Sequence, residues 1–220
     1  MIFYFSATGN TKHVATEIKR ENESVLSIEE AVKNEIFQYE INDDRLGILS
    51  PTYDFGLPSI VYDFLEKLDL RYEKKPYVFY VGTFGTTTGG ASAIADTIMK
   101  TKGLRFDAKF DIRMPDTWTV LFDLSNQNNV IRRILEVDKE IEELKQQLAE
   151  KTKGKHMDFN TPEFVGRIGK SIYDRKVRKT SHLSVSEKCT GCGLCARKCP
   201  ARAIEIKDSR PVWVKESCVM

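Results

Sequence analysis

An alternation over the first 113 residues constrains the fold most: short apolar runs are separated by segments with a helical stripe. Met1–Phe5, Leu46–Leu49 and Tyr77–Val81 read as short strands. Ser24–Ile28 is a weaker strand, and Phe106–Arg113 alternates apolar and polar residues as a fifth. Thr11–Arg20, Ile60–Leu68 and Ala91–Lys100 lie between them and read as helices; Ile60, Val61, Phe64, Leu65 and Leu68 form one apolar face. The stretch up to Asp44 has no clear pattern. This order predicts an α/β fold, a doubly wound parallel sheet of strand order 2-1-3-4-5 with helices on both faces.

Residues 126–150 read as one long helix. Val130, Ile134, Val137, Ile141, Leu144 and Leu148 recur at steps of four and three, a stripe expected to cover one face of the sheet, with a coiled-coil seam as the alternative. Lys151–Lys155 contains Gly154 and reads as a break. Residues 156–184 are basic and poor in apolar side chains, so they are expected to be a linker or a helix laid on the body. The expected units are 1–150, a basic linker or docking segment 151–184, and a small unit 185–220.

Charge divides the same way. Residues 1–150 carry 18 Lys and Arg against 25 Asp and Glu, whereas residues 151–220 carry 16 against 7. An acidic body joined to a basic tail could dock on itself or attract an acidic partner. No reading motif accompanies the basic residues, so nucleic acid is not an expected partner. No apolar run approaches the roughly 18 residues of a membrane span. The N-terminus lacks the pattern of a secretory signal, so a cytoplasmic protein is expected.

Three loops carry the chemistry of the first unit. Ser6-Ala7-Thr8-Gly9-Asn10-Thr11 follows the first strand and opens a helix. Its hydroxyls, with the free amides and positive dipole end of the helix, form a phosphate cradle; taken alone, it could be a simple helix cap. No Walker-type Lys-Ser/Thr pair and no G-x-G-x-x-G is present. Ser50–Pro58 and Gly82–Gly90 follow the third and fourth strands, so all three loops fall at the strand carboxyl ends, where doubly wound sheets bind ligands. His13, His156 and His182 show no ligand or triad spacing and receive no role.

All five cysteines lie between 189 and 218, and a reducing compartment leaves them to metal or redox chemistry. Cys189, Cys192, Cys195 and Cys199 follow C-x2-C-x2-C-x3-C-P, the spacing of an iron–sulfur run. Zinc is the weaker alternative, because four cysteines within eleven residues can hardly all reach one tetrahedral ion. Ala203–Ile206 and Val212–Val214 read as a hairpin that leads to Cys218.

These motifs resemble two known families. Ser6–Thr11 is similar to the loop of flavodoxins that holds the terminal phosphate of FMN through hydroxyls and amides. The resemblance implies that Pro51, Thr52, Tyr53, Asp54, Phe55 and Gly56, together with Thr83, Phe84, Gly85 and Thr86, bracket the isoalloxazine ring. Tyr53 and Phe84 are the candidates for ring contact, or else ordinary loop aromatics. Gly56 could supply a peptide that turns toward the flavin N5, with Asp54 or Phe55 as the alternatives; Trp118 could reach the site or pack in its loop.

The cysteine unit resembles one half of a two-cluster [4Fe–4S] ferredoxin. That resemblance assigns Cys189, Cys192 and Cys195 to one cluster, and Cys199 and Cys218 to a second whose remaining ligands are not in the sequence. A truncation at Met220 is the expectation, with a single-cluster protein as the rival. The whole chain is similar to flavodoxin–ferredoxin fusion proteins. It is therefore expected to transfer electrons between FMN and iron–sulfur clusters and to meet redox partner proteins. The alternatives are an FMN-dependent reductase of a small molecule and a zinc-bearing module without flavin.

Overall fold

The computed structural model describes residues 1–117 and 122–218. Strand β1 (Ile2–Tyr4) leads into helix α1 (Asn10–Ile18), followed by β2 (Val25–Ser27), α2 (Ile28–Lys33) and β3 (Gln38–Glu40). The chain continues through β4 (Arg45–Pro51), α3 (Ser59–Lys67), β5 (Asp69–Arg71), β6 (Tyr77–Phe84) and α4 (Ala91–Thr101). Next come β7 (Ala108–Arg113), α5 (Gln127–Ala149), β8 (Gly154–His156) and α6 (Glu163–Ile172), which runs into a π-helical turn, Tyr173–Val177. The last elements are α7 (Leu194–Arg197), β9 (Ile204–Lys207) and β10 (Arg210–Trp213).

The main sheet has the order β2-β1-β4-β6-β7-β8, with every pair parallel. Its first five strands reproduce the expected 2-1-3-4-5. All eight residues of β6 are buried, as a central parallel strand covered on both faces requires. On one face, Ile28, Phe64, Leu65, Ile94 and Ala95 from α2, α3 and α4 pack on Phe3, Ile48, Val78 and Tyr80. On the other, Val14, Ala15 and Ile18 of α1 join Val137, Ile141, Leu144 and Leu148 of α5 over Phe79, Val81 and Phe110. Burial of each such side chain stabilises the fold by roughly 1.5–3 kcal/mol.

Three features depart from the sequence reading, and one settles a choice it left open. The Lys151–Lys155 break contains the start of a sixth strand, β8, joined to the sheet when Gly154 donates its N–H to the Asp107 carbonyl at 2.8 Å. Of the two forms expected for residues 156–184, the helix laid on the body is the one found, because α6 packs on α4. Only the later turns of α5 cover the sheet: Ile134 is 41% exposed, whereas Val137 is fully buried. The unpatterned stretch before Asp44 holds α2 and β3, and β3 pairs with β5 in a separate two-stranded sheet. The expected hairpin forms as the antiparallel pair β9–β10. Its unit touches the body through Arg202, which donates to the Lys33 carbonyl at 2.7 Å.

A buried ion pair fixes the amino end of the sheet. Arg45 donates from Nε and Nη2 to the two oxygens of Glu23 at 2.8 and 2.5 Å, and both side chains are 3% exposed. Burial alone would raise the Glu23 carboxyl. Hydrogen bonds from Arg45 and the Arg20 amide, with the charges of Arg45 and the N-terminal ammonium, outweigh it and hold the carboxyl below its usual 4.5. A depressed acid stabilises the fold above its unfolded value and loses that contribution as the pH falls through the folded one. Glu23→Gln should therefore cost about 3 kcal/mol near neutrality. Urea unfolding should show the gap from wild type closing as the pH drops below 4.5.

Candidate flavin and iron–sulfur sites

The register of β4 on β6 sets Pro51 beside Thr83, and the Thr52 amide extends the ladder to the Thr83 carbonyl at 3.0 Å. The second and third loops therefore leave the sheet side by side. The first is tied to them by a buried hydroxyl pair, Thr11 Oγ1 and Thr83 Oγ1, at 2.7 Å. Helix α1 starts after Gly9 with no side chain capping it and no acid in its first turn. Ser6 Oγ accepts from the Gly9 amide at 3.1 Å, which curls the loop around the helix end.

A cavity of about 480 Å³ opens over these loops, within the range of cofactor pockets. Ser6, Ala7, Thr8, Asn10 and Thr11 line one end. Pro51, Thr52, Tyr53, Asp54 and Phe55 also line the cavity, with Thr83, Phe84, Gly85 and Thr86 from the neighbouring loop. Gly9 and Gly56 are not in the lining. Gly56 is buried and locked by reciprocal amide–carbonyl bonds with Tyr53 at 3.0 and 2.8 Å. The two residues between them, Asp54 and Phe55, have φ of 46° and 63°. They make a tight turn in a backbone region that residues other than glycine seldom enter. Asp54 and Phe55, the alternatives that the sequence left open beside Gly56, are the two turn residues that line the cavity.

Other lining residues were not anticipated. Thr87, Pro115, Asp116, Thr117 and Phe122 close one side, and Tyr173 and Val177 of the π-turn close the other. Asn10 Nδ2 donates to the Pro115 carbonyl at 2.9 Å, and the Thr8 and Thr117 hydroxyls meet at 3.0 Å, so the loop after β7 leans on the first loop. The Met-Pro-Asp-Thr stretch was visible in the sequence as a loop, but Tyr173 and Val177 had no signal. Trp118 lies outside the described residues.

Among the described residues, the lining contains no Lys, Arg or His. An anion here would be held by amides, hydroxyls and the helix dipole, beside a largely apolar region walled by Tyr53, Phe55, Phe84, Phe122 and Tyr173. That division fits FMN: Ser6–Thr11 would hold the phosphate and the aromatic walls would flank the ring. Burial raises the Asp54 carboxyl. The Tyr53 phenol is pushed up by burial and then by the nearby Cys218 thiol; Tyr173 is raised by burial and by Tyr53, with Cys218 also contributing.

Cys189 and Cys199 are half-buried, Cys192 and Cys195 are exposed, and none of the five cysteines forms a disulfide among the described residues. Among the described residues, no three His, Cys, Asp or Glu side chains gather into a metal-holding group. The run nonetheless has the local chemistry of a cluster loop. The Ala203 amide donates to Cys199 Sγ at 3.3 Å, while the Leu194 amide and Thr190 hydroxyl hold the Cys192 thiol below its usual range. Gly191 has φ 69°, and a Cβ there would stand 2.4 Å from the Ser209 carbonyl oxygen, so the loop closes only with glycine. Cys218 sits on a different segment, a tail laid antiparallel on Arg178–Thr180: its amide donates to the Arg178 carbonyl at 2.8 Å, and Thr180 N to Glu216 O at 2.9 Å. Val219 and Met220 lie outside the described residues.

The Thr11–Thr83 pair supplies a direct test of how the loops are held. Thr11→Val leaves the Thr83 hydroxyl buried without its partner and should cost about 1–3 kcal/mol; Thr83→Val should cost a similar amount. The double variant should recover much of that loss, a coupling readable from urea unfolding of all four proteins.

The flavodoxin domain family matches residues 1–140, and the 4Fe-4S binding domain family matches residues 185–205. No curated protein sequence matches the chain. Among solved structures, Fusobacterium nucleatum flavodoxin bound to flavin mononucleotide is 18% identical; the match covers 65% of this chain and 96% of that one, with a TM-score of 0.35. Rubredoxin oxygen:oxidoreductase from Desulfovibrio gigas is 13% identical over 64% of this chain, with a TM-score of 0.39. This chain spans 35% of that protein's length. A flavone reductase is 9% identical over 70% of this chain and 66% of its own, with a TM-score of 0.39. The chain belongs to the flavodoxin domain family and carries a 4Fe-4S binding domain after it, the pairing found in a flavodoxin–ferredoxin fusion.

Proposed function

We propose that this chain relays electrons internally between FMN at the carboxyl edge of the sheet and iron–sulfur chemistry at its cysteines. Its two domains support an electron-transfer role. One observation supports the finer reading: the Cys218 amide donates to the Arg178 carbonyl at 2.8 Å, the Arg178 guanidinium lies 5.9 Å from the centre of the Tyr173 ring, and Tyr173 lines the cavity with Tyr53. The rings lie 6.1 Å apart between centroids, so a proposed cluster ligand adjoins the flavin wall.

FMN, when bound, supplies two-electron uptake with one-electron release, and a [4Fe–4S] cluster passes electrons singly. The chain's own residues do the rest. Ser6, Thr8 and the first amides of α1 anchor the phosphate; Tyr53, Phe55 and Phe84 shed water from the ring; Asp54 and Asp116 place carboxyls on the walls. Cys189, Cys192, Cys195, Cys199 and Cys218 are the proposed iron ligands. The proposed units are a flavodoxin-like body over 1–150, a docking segment over 151–184 and the cysteine unit over 185–220. Redox proteins are the expected partners. No helix among the described residues is long and apolar enough to cross a membrane.

Asp54 supports the second reading, an FMN-dependent reductase, because an acid raised by burial lines the cavity. Rapid mixing of the anaerobically loaded chain with a one-electron reductant separates the two. The relay requires flavin-to-cluster transfer at a rate independent of protein concentration. A rate that scales with concentration would end that reading, and quinone turnover well above a free-FMN control would favour the reductase.

A further inference from the structure

The segment that follows the matched flavodoxin region does more than cross the surface. Helix α6 approaches the Asp54–Phe55 turn backbone to backbone. A Cβ on Gly169 would stand 2.1 Å from the Asp54 carbonyl oxygen, and one on Gly166 would stand 2.9 Å from that of Phe55. From the other side, a Cβ on Gly89 would stand 2.1 Å from the same Phe55 oxygen, which accepts the Gly90 amide at 2.8 Å. The turn is thus gripped between Gly89–Gly90 and one face of α6. Its two positive-φ residues need such a grip, because a strained turn persists only where its surroundings hold it.

The grip has its own anchors. Glu163 accepts from Thr97 of α4 at 3.1 Å. Asp174, just past α6, accepts from Ser59 of α3 at 2.7 Å and from Arg178 at 2.8 Å, and it also pairs with Lys170. Helix α6 is therefore positioned by α3 and α4 rather than by the turn it presses on. The π-turn that follows points Tyr173 into the same cavity, where its ring meets Tyr53.

We propose that the inward-facing residues Gly166, Gly169 and Tyr173 of this segment are an integral part of the flavin site. Gly166 and Gly169 are positioning residues that set the Asp54–Phe55 turn, and Tyr173 is a binding residue that walls the ring side of the cavity. This rests on reading the cavity as an FMN site, and it goes beyond that reading by assigning part of the site to a segment outside the flavodoxin region.

The test is FMN titration of the full chain under anaerobic conditions, followed by flavin fluorescence. It compares wild type with Gly169→Ala, Tyr173→Ala and, as a control, Ile168→Ser, whose side chain is 57% exposed on α6. Alanine favours a helix more than glycine does, so Gly169→Ala does not remove α6 by lost propensity. Gly169→Ala and Tyr173→Ala should each weaken FMN by about tenfold or more and shift the absorption spectrum and midpoint potential of the flavin that still binds. Ile168→Ser should match wild type, and thermal unfolding of the FMN-free chains should remain cooperative. Affinity, spectrum and potential unchanged in both site variants would overturn the proposal. If Gly169→Ala does not fold, Tyr173→Ala decides alone. A wild-type chain that takes up no FMN would refute the function proposed above and this inference with it, whereas FMN uptake indifferent to both substitutions would refute only the inference.

Discussion

The pairing of β4 with β6 governs what happens at the functional edge. Seven consecutive residue pairs run from Arg45 with Tyr77 to Pro51 with Thr83, and both strands are buried almost throughout. A parallel strand covered on both faces cannot slip by one residue without turning its side chains into the wrong layer. The register therefore fixes which residues emerge together at the carboxyl end. Pro51 and Thr83 emerge as neighbours, Thr11 is reached through Thr83, and three loops that are distant in sequence meet around one cavity.

The opposite edge has a different basis. There the sheet is held by charge: Arg45 grips Glu23 with two donors, accepts no exposure to water, and also donates to the Ile18 carbonyl at 2.8 Å. The helix-side contacts of the later segment are again ionic, with Lys170, Asp174 and Arg178 grouped beside Ser59. These charges lie at element ends while the strand interiors stay apolar. The loops at the functional edge carry mainly hydroxyls, amides and aromatic rings, the groups that can face an anionic, planar cofactor, with Asp54 and Asp116 as the acids among them.

Much of the body was legible in the sequence because its signals were physical and local. Runs such as Tyr77–Val81 are too apolar to be anything but interior, and Ser6–Thr11 announces a helix start with donors to spare. The cysteine spacing was equally plain, although the thiols do not gather into one group among the described residues. Strand β8 was not legible: Gly154, Lys155 and His156 are all exposed, and they become a strand through backbone pairing with β7 and the His156 ring stacked on Phe110. Helix α6 was legible only as one of two options, because Gly166 and Gly169 leave no apolar pattern on the side that packs. Its Phe164 and Ile168 are exposed instead. The sequence left Gly56, Asp54 and Phe55 open for the peptide near the flavin; Asp54 and Phe55 line the cavity, in a turn for which the surrounding glycines provide the room.

The cavity, the π-turn and the cysteine tail form one connected path: Asp54–Phe55 against α6, Tyr173 against Tyr53, and Arg178–Thr180 paired with residues 216–218. Hydrogen exchange of the chain with and without FMN tests that continuity most directly. The account predicts slower exchange on FMN binding not only in residues 6–11 and 52–56 but also in 173–180 and 215–218. Slowing confined to the flavodoxin loops, with the π-turn and the cysteine tail unchanged, would contradict it.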